Sequence, residues 1–216
     1  MKNIKKLPLI ASLLSLLVIF TPANADVKVV TSIKPIHSLA SYLMDGVGKP
    51  DLIVDGYASP HGFALKPSHA KMLQNADLIF WVGEDLENFL EKPLKSIAKK
   101  AEKIELMEIK GLKKLEFRER NVFEGHDDHK DHGHKEDKHD DHHEHAHGEH
   151  DPHIWLDPMN AKVMLSEMAE HLIEKDQENA SKYKANLKNA HKDLDKLTKK
   201  VKSELNKDFK SIVFHD

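Results

Sequence analysis

The sequence has no cysteine, which excludes disulfide bonds, thiolate-bound metals and a lipid-modified cysteine at a mature N-terminus. Any bound metal must therefore be held by nitrogen and oxygen donors. Basic residues are not in excess, because 33 Lys and Arg face 36 Asp and Glu, for a net charge of −3. This balance gives no basic face and predicts no nucleic-acid partner. Beyond the first 25 residues, no apolar run is long enough to predict a membrane span.

The N-terminus has the pattern of a secretory signal peptide. Three lysines within the first six residues precede an apolar run at 7–20, and a small-x-small signal ends at Ala25. A membrane anchor is the alternative, but the run is shorter than the roughly 20 residues of a spanning helix. We expect cleavage after Ala25 and a mature protein that is free in a periplasm.

Residues 125–150 form a segment rich in histidine, aspartate and glutamate, with no apolar residue larger than alanine. Such a segment buries too little apolar surface to offset its ordering entropy, so we expect disorder. Imidazole is the commonest biological metal ligand, and this density predicts auxiliary metal binding. A solvated linker with incidental histidines is the alternative. The candidate ligands are His126, His129, His132, His134, His139, His142, His143, His145, His147 and His150.

Strand and helix patterns alternate along residues 27–107, which predicts an α/β fold with a parallel sheet covered on both faces. The predicted strands are 27–31, 52–54, 77–82 and 104–107. The first predicted helix begins at Pro35, and the second runs from Pro67 to about Asn75. A third at 84–100 breaks near Pro93.

Two helices are predicted after the histidine-rich segment. Asp157 and Pro158 open one that runs to about Lys175, and a longer one with an apolar stripe covers 177–206. A strand at 211–214 follows, and the chain stops just after His215. Ligands of open α/β sheets sit beyond the carboxyl ends of strands. We therefore expect that a second lobe is missing from this chain.

Three histidines outside the histidine-rich segment lie where a sheet presents ligands. His61 follows Pro60 in a loop between a strand and a helix, His153 follows Pro152, and His215 ends the last strand. Taken singly, each is more often an ordinary surface histidine. Three imidazoles with one oxygen ligand make a suitable tetrahedral zinc site, and adjacent prolines limit the backbone freedom of two of them.

Four motifs together carry a family resemblance: SIKPIHSL at 32–39, ASPHGFALKPSHAKMLQNADLIFWVG at 58–83, DPHIWLDP at 151–158 and VFHD at 213–216. The chain resembles the periplasmic zinc-binding proteins of bacterial zinc uptake ABC transporters, ZnuA-like members of the metal-binding solute-binding protein family. The resemblance covers essentially the whole mature chain. It also includes the acidic histidine-rich insert between the second and third motifs.

The resemblance implies two α/β lobes joined by a long backbone helix, with one metal between them. It implies His61 and His153 as ligands from the first lobe and His215 as the first ligand from the second. Manganese members have glutamate in place of the third histidine, so His215 favours zinc. The acidic ligand of the second lobe has no counterpart here. Pro60 stands where some zinc members carry a glutamate.

The expected function is capture of zinc and its delivery to the membrane permease of an ABC transporter, by a monomeric protein that is not an enzyme. Two alternatives are a periplasmic zinc buffer that acts through the histidine-rich segment and a zinc-dependent hydrolase. The sequence gives little support to the hydrolase, because it contains no His-Glu-x-x-His motif and places no general base near His61 or His153. We expect His37, His69, His171 and His191 not to bind the main-site metal.

The expected organisation has six parts: a signal peptide at 1–25, an N-terminal α/β lobe at 26–124, the histidine-rich segment at 125–150, the end of the lobe at 151–176, the backbone helix at 177–206 and the start of an absent C-terminal lobe at 207–216.

Overall fold

The computed structural model describes residues 27–116 and 150–205. The predicted signal peptide, nine of the ten histidines of the histidine-rich segment and the predicted last strand with His215 lie outside the described residues. No helix in the described ranges is both long enough and apolar enough to cross a bilayer. In chain order the elements are β1 (Val29–Ile33), α1 (Lys34–Leu43), β2 (Asp51–Val54), α2 (Pro67–Asn75), β3 (Leu78–Trp81), α3 (Glu84–Ser96), β4 (Glu102–Glu105), α4 (Pro158–Lys175) and α5 (Ala180–Glu204).

The four strands form one parallel sheet in the order β2-β1-β3-β4. Every residue of β1 and β3 is buried. Because successive side chains of a strand point to opposite faces, both faces of the central strands must be covered. The predicted α/β fold with a covered parallel sheet is confirmed.

Several predicted boundaries are wrong. The first strand lies at Val29–Ile33 and not at 27–31. The fourth begins at Glu102, and a 3₁₀ turn at Leu106–Glu108 follows it. Pro93 does not break α3 but lies inside it, and the departure from helical geometry is at Glu87 (φ −122°, ψ 48°). The Glu87 side chain turns back there to the N–H groups of Val82 and Gly83 that follow β3, so the kink lies at Glu87 and not at the proline.

Helix α5 begins after a 3₁₀ turn at Gln177–Asn179 and packs its first half against the lobe. Tyr183 is fully buried, and its hydroxyl donates to Asp176 Oδ2 at 2.9 Å. The Asn186 amide donates to Leu43 O at 2.8 Å and to Asp45 O at 2.9 Å, which satisfies carbonyls at the end of α1. In the second half of α5, the apolar side chains of Leu197 and Val201 are exposed.

Glu87 is a fully buried carboxylate at the carboxyl end of the sheet. Its Oε2 accepts from the backbone N–H groups of Val82 at 2.8 Å and Gly83 at 3.0 Å. Its Oε1 and the nearby Ser32 Oγ make no well-oriented hydrogen bond with a described residue. Burial raises the pKa of Glu87 to about 7, although the Ser32 hydroxyl and the two N–H groups oppose the shift.

The raised pKa of Glu87 predicts a pH-dependent stability. The folded state holds the proton more tightly than the unfolded state, so the contribution of Glu87 is largest below about pH 4.5 and is lost as pH rises through about 7. Glu87→Gln keeps one acceptor for Val82 and Gly83 but cannot ionise. We expect this variant to be more stable than the parent by about 1–3 kcal/mol at pH 8 and similar to it at pH 5.

Urea unfolding of both chains between pH 5 and pH 8 checks this prediction. Glu170→Gln removes an exposed carboxylate on α4 and is the matched control, with an unchanged pH profile. Parallel profiles for Glu87→Gln and the parent would show that Glu87 is ionised at both ends of the range.

Candidate metal centre

The first candidate ligand, His61, lies in the loop between β2 and α2. Its side chain is exposed, and its backbone N–H donates to Ser59 Oγ at 3.2 Å. Gly62 follows with φ +74°, a left-handed conformation that residues with a Cβ rarely adopt. Phe63 then packs against Phe89, with ring centroids 5.2 Å apart, and returns the loop to the lobe. The histidine is thus presented at a tight turn that is anchored on one side.

The second candidate ligand, His153, lies just before the 3₁₀ turn Ile154–Leu156 that leads into α4. Ile154 is buried and fixes the turn to the core. Asp157 caps α4 by accepting from the Met159 N–H at 2.8 Å. The His153 ring is half-buried and lies against the Trp155 ring, with centroids 5.2 Å apart. These contacts limit the freedom of the imidazole.

The structure brings His61 and His153 together, although 92 positions of sequence separate them. Their ring centroids are 6.4 Å apart with an interplanar angle of 48°. Two imidazoles on one tetrahedral zinc ion, with Zn–N bonds of about 2.1 Å, have centroids roughly 5 Å apart. The pair therefore needs to close by roughly 1 Å to share an ion. His61 is the more exposed of the two and has the more room for that movement.

Asp151 orients His153, and sequence reasoning missed this role. Asp151 Oδ1 accepts from the His153 backbone N–H at 2.9 Å and lies 2.7 Å from Nδ1 of the same residue. A carboxylate at Nδ1 holds the proton there and leaves Nε2 as the metal-binding atom. The Asp-Pro-His spacing was visible in the sequence as a turn signal, and it was the only clue to this contact.

The chain that precedes the histidine-rich segment is paired with the last residue of that segment, next to this site. Glu116 and His150 form an isolated antiparallel bridge, and the Asp151 N–H donates to Leu115 O at 2.8 Å. The buried Asn160 side chain bonds both the N–H and the C=O of Lys113, at 2.8 and 2.9 Å. His150 is therefore within three residues, or at most roughly 10 Å of chain, of His153.

Four further histidines have structural contacts. His37 Nε2 lies 3.1 Å from Pro50 O, and His191 Nε2 lies 3.1 Å from Lys162 O. His69 is buried, whereas its place in the helix pattern suggested a polar position, and its Nδ1 accepts from the Lys66 N–H at the start of α2. Burial, and then the charge of Lys66, lower the pKa of His69. His171 contacts Glu102 across α4 and β4.

Comparison with known proteins gives a consistent family. The family model described as "Zinc-uptake complex component A periplasmic" matches residues 29–216. The chain is 43% identical, over 233 aligned positions, to the high-affinity zinc uptake system protein ZnuA of Brucella abortus, and the match covers all of this chain and 70% of the relative. It is 41% identical to the ZnuA protein of Paracoccus denitrificans, covering 90% of this chain and 63% of the relative.

Solved structures share the fold. The Zn(II)-bound ZnuA-like domain of Streptococcus pneumoniae AdcA has a TM-score of 0.59 at 18% identity, covering 81% of this chain and 54% of the domain. The metal-dependent lipoprotein YcdH of Bacillus subtilis has a TM-score of 0.60 at 21% identity, covering 82% of this chain and 55% of the lipoprotein. The chain thus spans about half the length of these structures.

Both the family model and the curated relatives extend over nearly the whole chain, and the metal-binding structures share its parallel sheet. Proteins of this family are substrate-binding components and not enzymes, so the hydrolase alternative is not supported. The chain belongs to the family of periplasmic zinc-uptake components represented by ZnuA.

Proposed function

We propose that this protein captures zinc in the periplasm and delivers it to the permease of an ABC transporter. The observation that carries the proposal is the pairing of His61 and His153, whose rings lie 6.4 Å apart at the edge of the sheet. The chemistry is ligand exchange: neutral imidazoles replace water on the ion, and no bond in a substrate is broken. We propose further that the chain is exported by a signal peptide cleaved after Ala25 and acts as a monomer.

Nitrogen donors favour zinc as the cargo. Imidazole suits zinc, whereas manganese prefers oxygen ligands. His61 and His153 supply two nitrogens, and we propose that His215 supplies a third. The Asp151 carboxylate supports metal binding at His153, because its contact with Nδ1 fixes the ring and leaves Nε2 to coordinate the ion.

The histidine-rich segment is proposed to supply auxiliary zinc sites that pass the ion to the main site. The bridge between Glu116 and His150 supports this role, because it fixes the last residue of the segment to the folded lobe, three residues before His153. Zinc buffering by the segment alone is the second candidate function, favoured by its ten histidines. Zinc titration of chains with and without residues 126–147 separates the two, since capture at the main site survives the deletion and buffering does not.

Loss of both described ligands is expected to abolish the tight site. In a chain that lacks 126–147, we expect His61→Ala with His153→Ala to weaken zinc binding at least about 100-fold, or about 2.7 kcal/mol. Competition against a chromogenic zinc chelator measures the affinity. The control with His37→Ala and His191→Ala removes the same number of imidazoles away from the site and keeps the affinity. Equal affinities for the two double variants would contradict the assignment of His61 and His153.

Asp151→Asn tests the orientation of His153. The amide is nearly isosteric but no longer offers an anionic acceptor to Nδ1, so we expect zinc binding to weaken about 10–100-fold. The same chelator competition measures it. Asp157→Asn makes the same charge change six residues away and keeps a good N-cap, so it leaves affinity unchanged. If both variants bind zinc as the parent does, Asp151 has no part in metal binding.

A further inference from the structure

A second group of side chains that could bind a metal lies where β4 begins, at the end of the sheet formed by the amino ends of the strands. Glu102 is the first residue of β4, and His171 and Glu174 lie on the facing side of α4. One ligand atom from each of these three residues lies within 4.8 Å of the others. Residues 167, 171 and 174 are four and three positions apart, so they share one helix face, and Glu167 borders the same group.

The imidazole of His171 is held between carboxylates. Nδ1 lies 2.7 Å from Glu102 Oε1, and Nε2 lies 3.4 Å from Glu167 Oε1. The Nδ1 atom is closed to solvent and makes no well-oriented hydrogen bond with a described residue. A nitrogen and a carboxylate oxygen 2.7 Å apart are close enough to serve as neighbouring ligands of one cation.

The side chains around His171 carry a net negative charge that attracts a divalent cation. Glu102, Glu167 and Glu174 contribute three negative charges. The group also has a positive neighbour, Lys175, whose Nζ lies 2.9 Å from Glu102 Oε2. The sum is −2 with a neutral imidazole. A groove along the edge strand β4, lined in part by Glu102, Glu167 and His171, gives an ion access from solvent.

We propose that Glu102, His171 and Glu174 form a second divalent-cation site with a preference for zinc, at the opposite edge of the sheet from His61 and His153. One imidazole with two carboxylates is a donor set found for zinc, whereas magnesium prefers oxygen donors in octahedral geometry. Bound zinc ties α4 to β4 through the Oε1 side of Glu102, while Lys175 stays on Oε2. This site does not depend on the proposed function of the main site.

The alternative is a metal-free network of ion pairs between α4 and β4, which would use the same residues. The effect of Lys175 distinguishes this network from a cation site. In a metal-free network Lys175 contributes attraction, so its loss loosens the group. In a cation site Lys175 repels the ion, so Lys175→Met tightens zinc binding. We expect a gain of at least about threefold, since removal of one like charge near a partly exposed site is worth about 1 kcal/mol.

The test is zinc titration of the full chain with histidine rings labelled with ¹³C and ¹⁵N, followed by NMR. The His171 ring is assigned by its absence in His171→Gln. We expect ZnCl₂ to shift this ring after the histidine-rich segment is saturated, and MgCl₂ not to shift it. Glu174→Gln, at an exposed position, should weaken zinc binding at His171 at least about tenfold, or about 1.4 kcal/mol. Glu170→Gln is the matched control and leaves the titration unchanged.

Two outcomes overturn the proposal. The first is a His171 ring that excess zinc does not shift in the folded parent chain, judged by unchanged amide resonances of β1 and β3. The second is weaker zinc binding at His171 in Lys175→Met, which assigns the group to a structural ion-pair network. Both measurements are made at the His171 ring, so they test this second site independently of zinc binding at His61 and His153.

Discussion

Parallel pairing of β1 with both of its neighbours is the constraint on which the proposed metal centre depends. The registers Thr31 with Leu52 and Thr31 with Phe80 align the three strands so that their carboxyl ends meet at one edge. The loop that carries His61 leaves from that edge, and the turn with His153 approaches the same place. The close approach of two histidines far apart in sequence is therefore a consequence of strand direction before it is a property of either loop.

Much of the fold was predictable because its signals are local. Helices Pro67–Asn75 and Pro158–Lys175 match the predicted bounds, since proline in the first turn marks each start. His61 and His153 were predictable as candidates because rigid loops flank them. The role of Asp151 was not, since Asp-Pro-His predicts a turn but does not say where the carboxylate points. The bend at Glu87 and the burial of His69 were missed, because each side chain turns back to accept backbone N–H groups that precede it, a contact that helix periodicity does not reveal.

Buried polar side chains stabilise the points where the chain leaves regular structure. Asn186 satisfies the end of α1, Asn160 pairs with both backbone groups of Lys113, and Glu87 accepts two N–H groups where β3 ends. An unpaired buried backbone group costs about 1–3 kcal/mol, so each contact prevents a penalty of that order. Apolar residues give the lobe its core, while these three polar residues determine where its loops lie. His61 and His153, the candidate metal ligands, lie in loops of this kind.

The bridge between Glu116 and His150 has a consequence for the evolution of the segment that it closes. For a disordered segment, as the composition predicts, loop-closure entropy is the main link between its length and the stability of the protein. That cost grows logarithmically, by about 0.6 kcal/mol for each doubling of length. Histidines can therefore be gained or lost by insertion and deletion with little effect on folding. The proposed zinc-binding capacity of the segment can therefore change with the supply of metal in a habitat while the folded lobe stays the same.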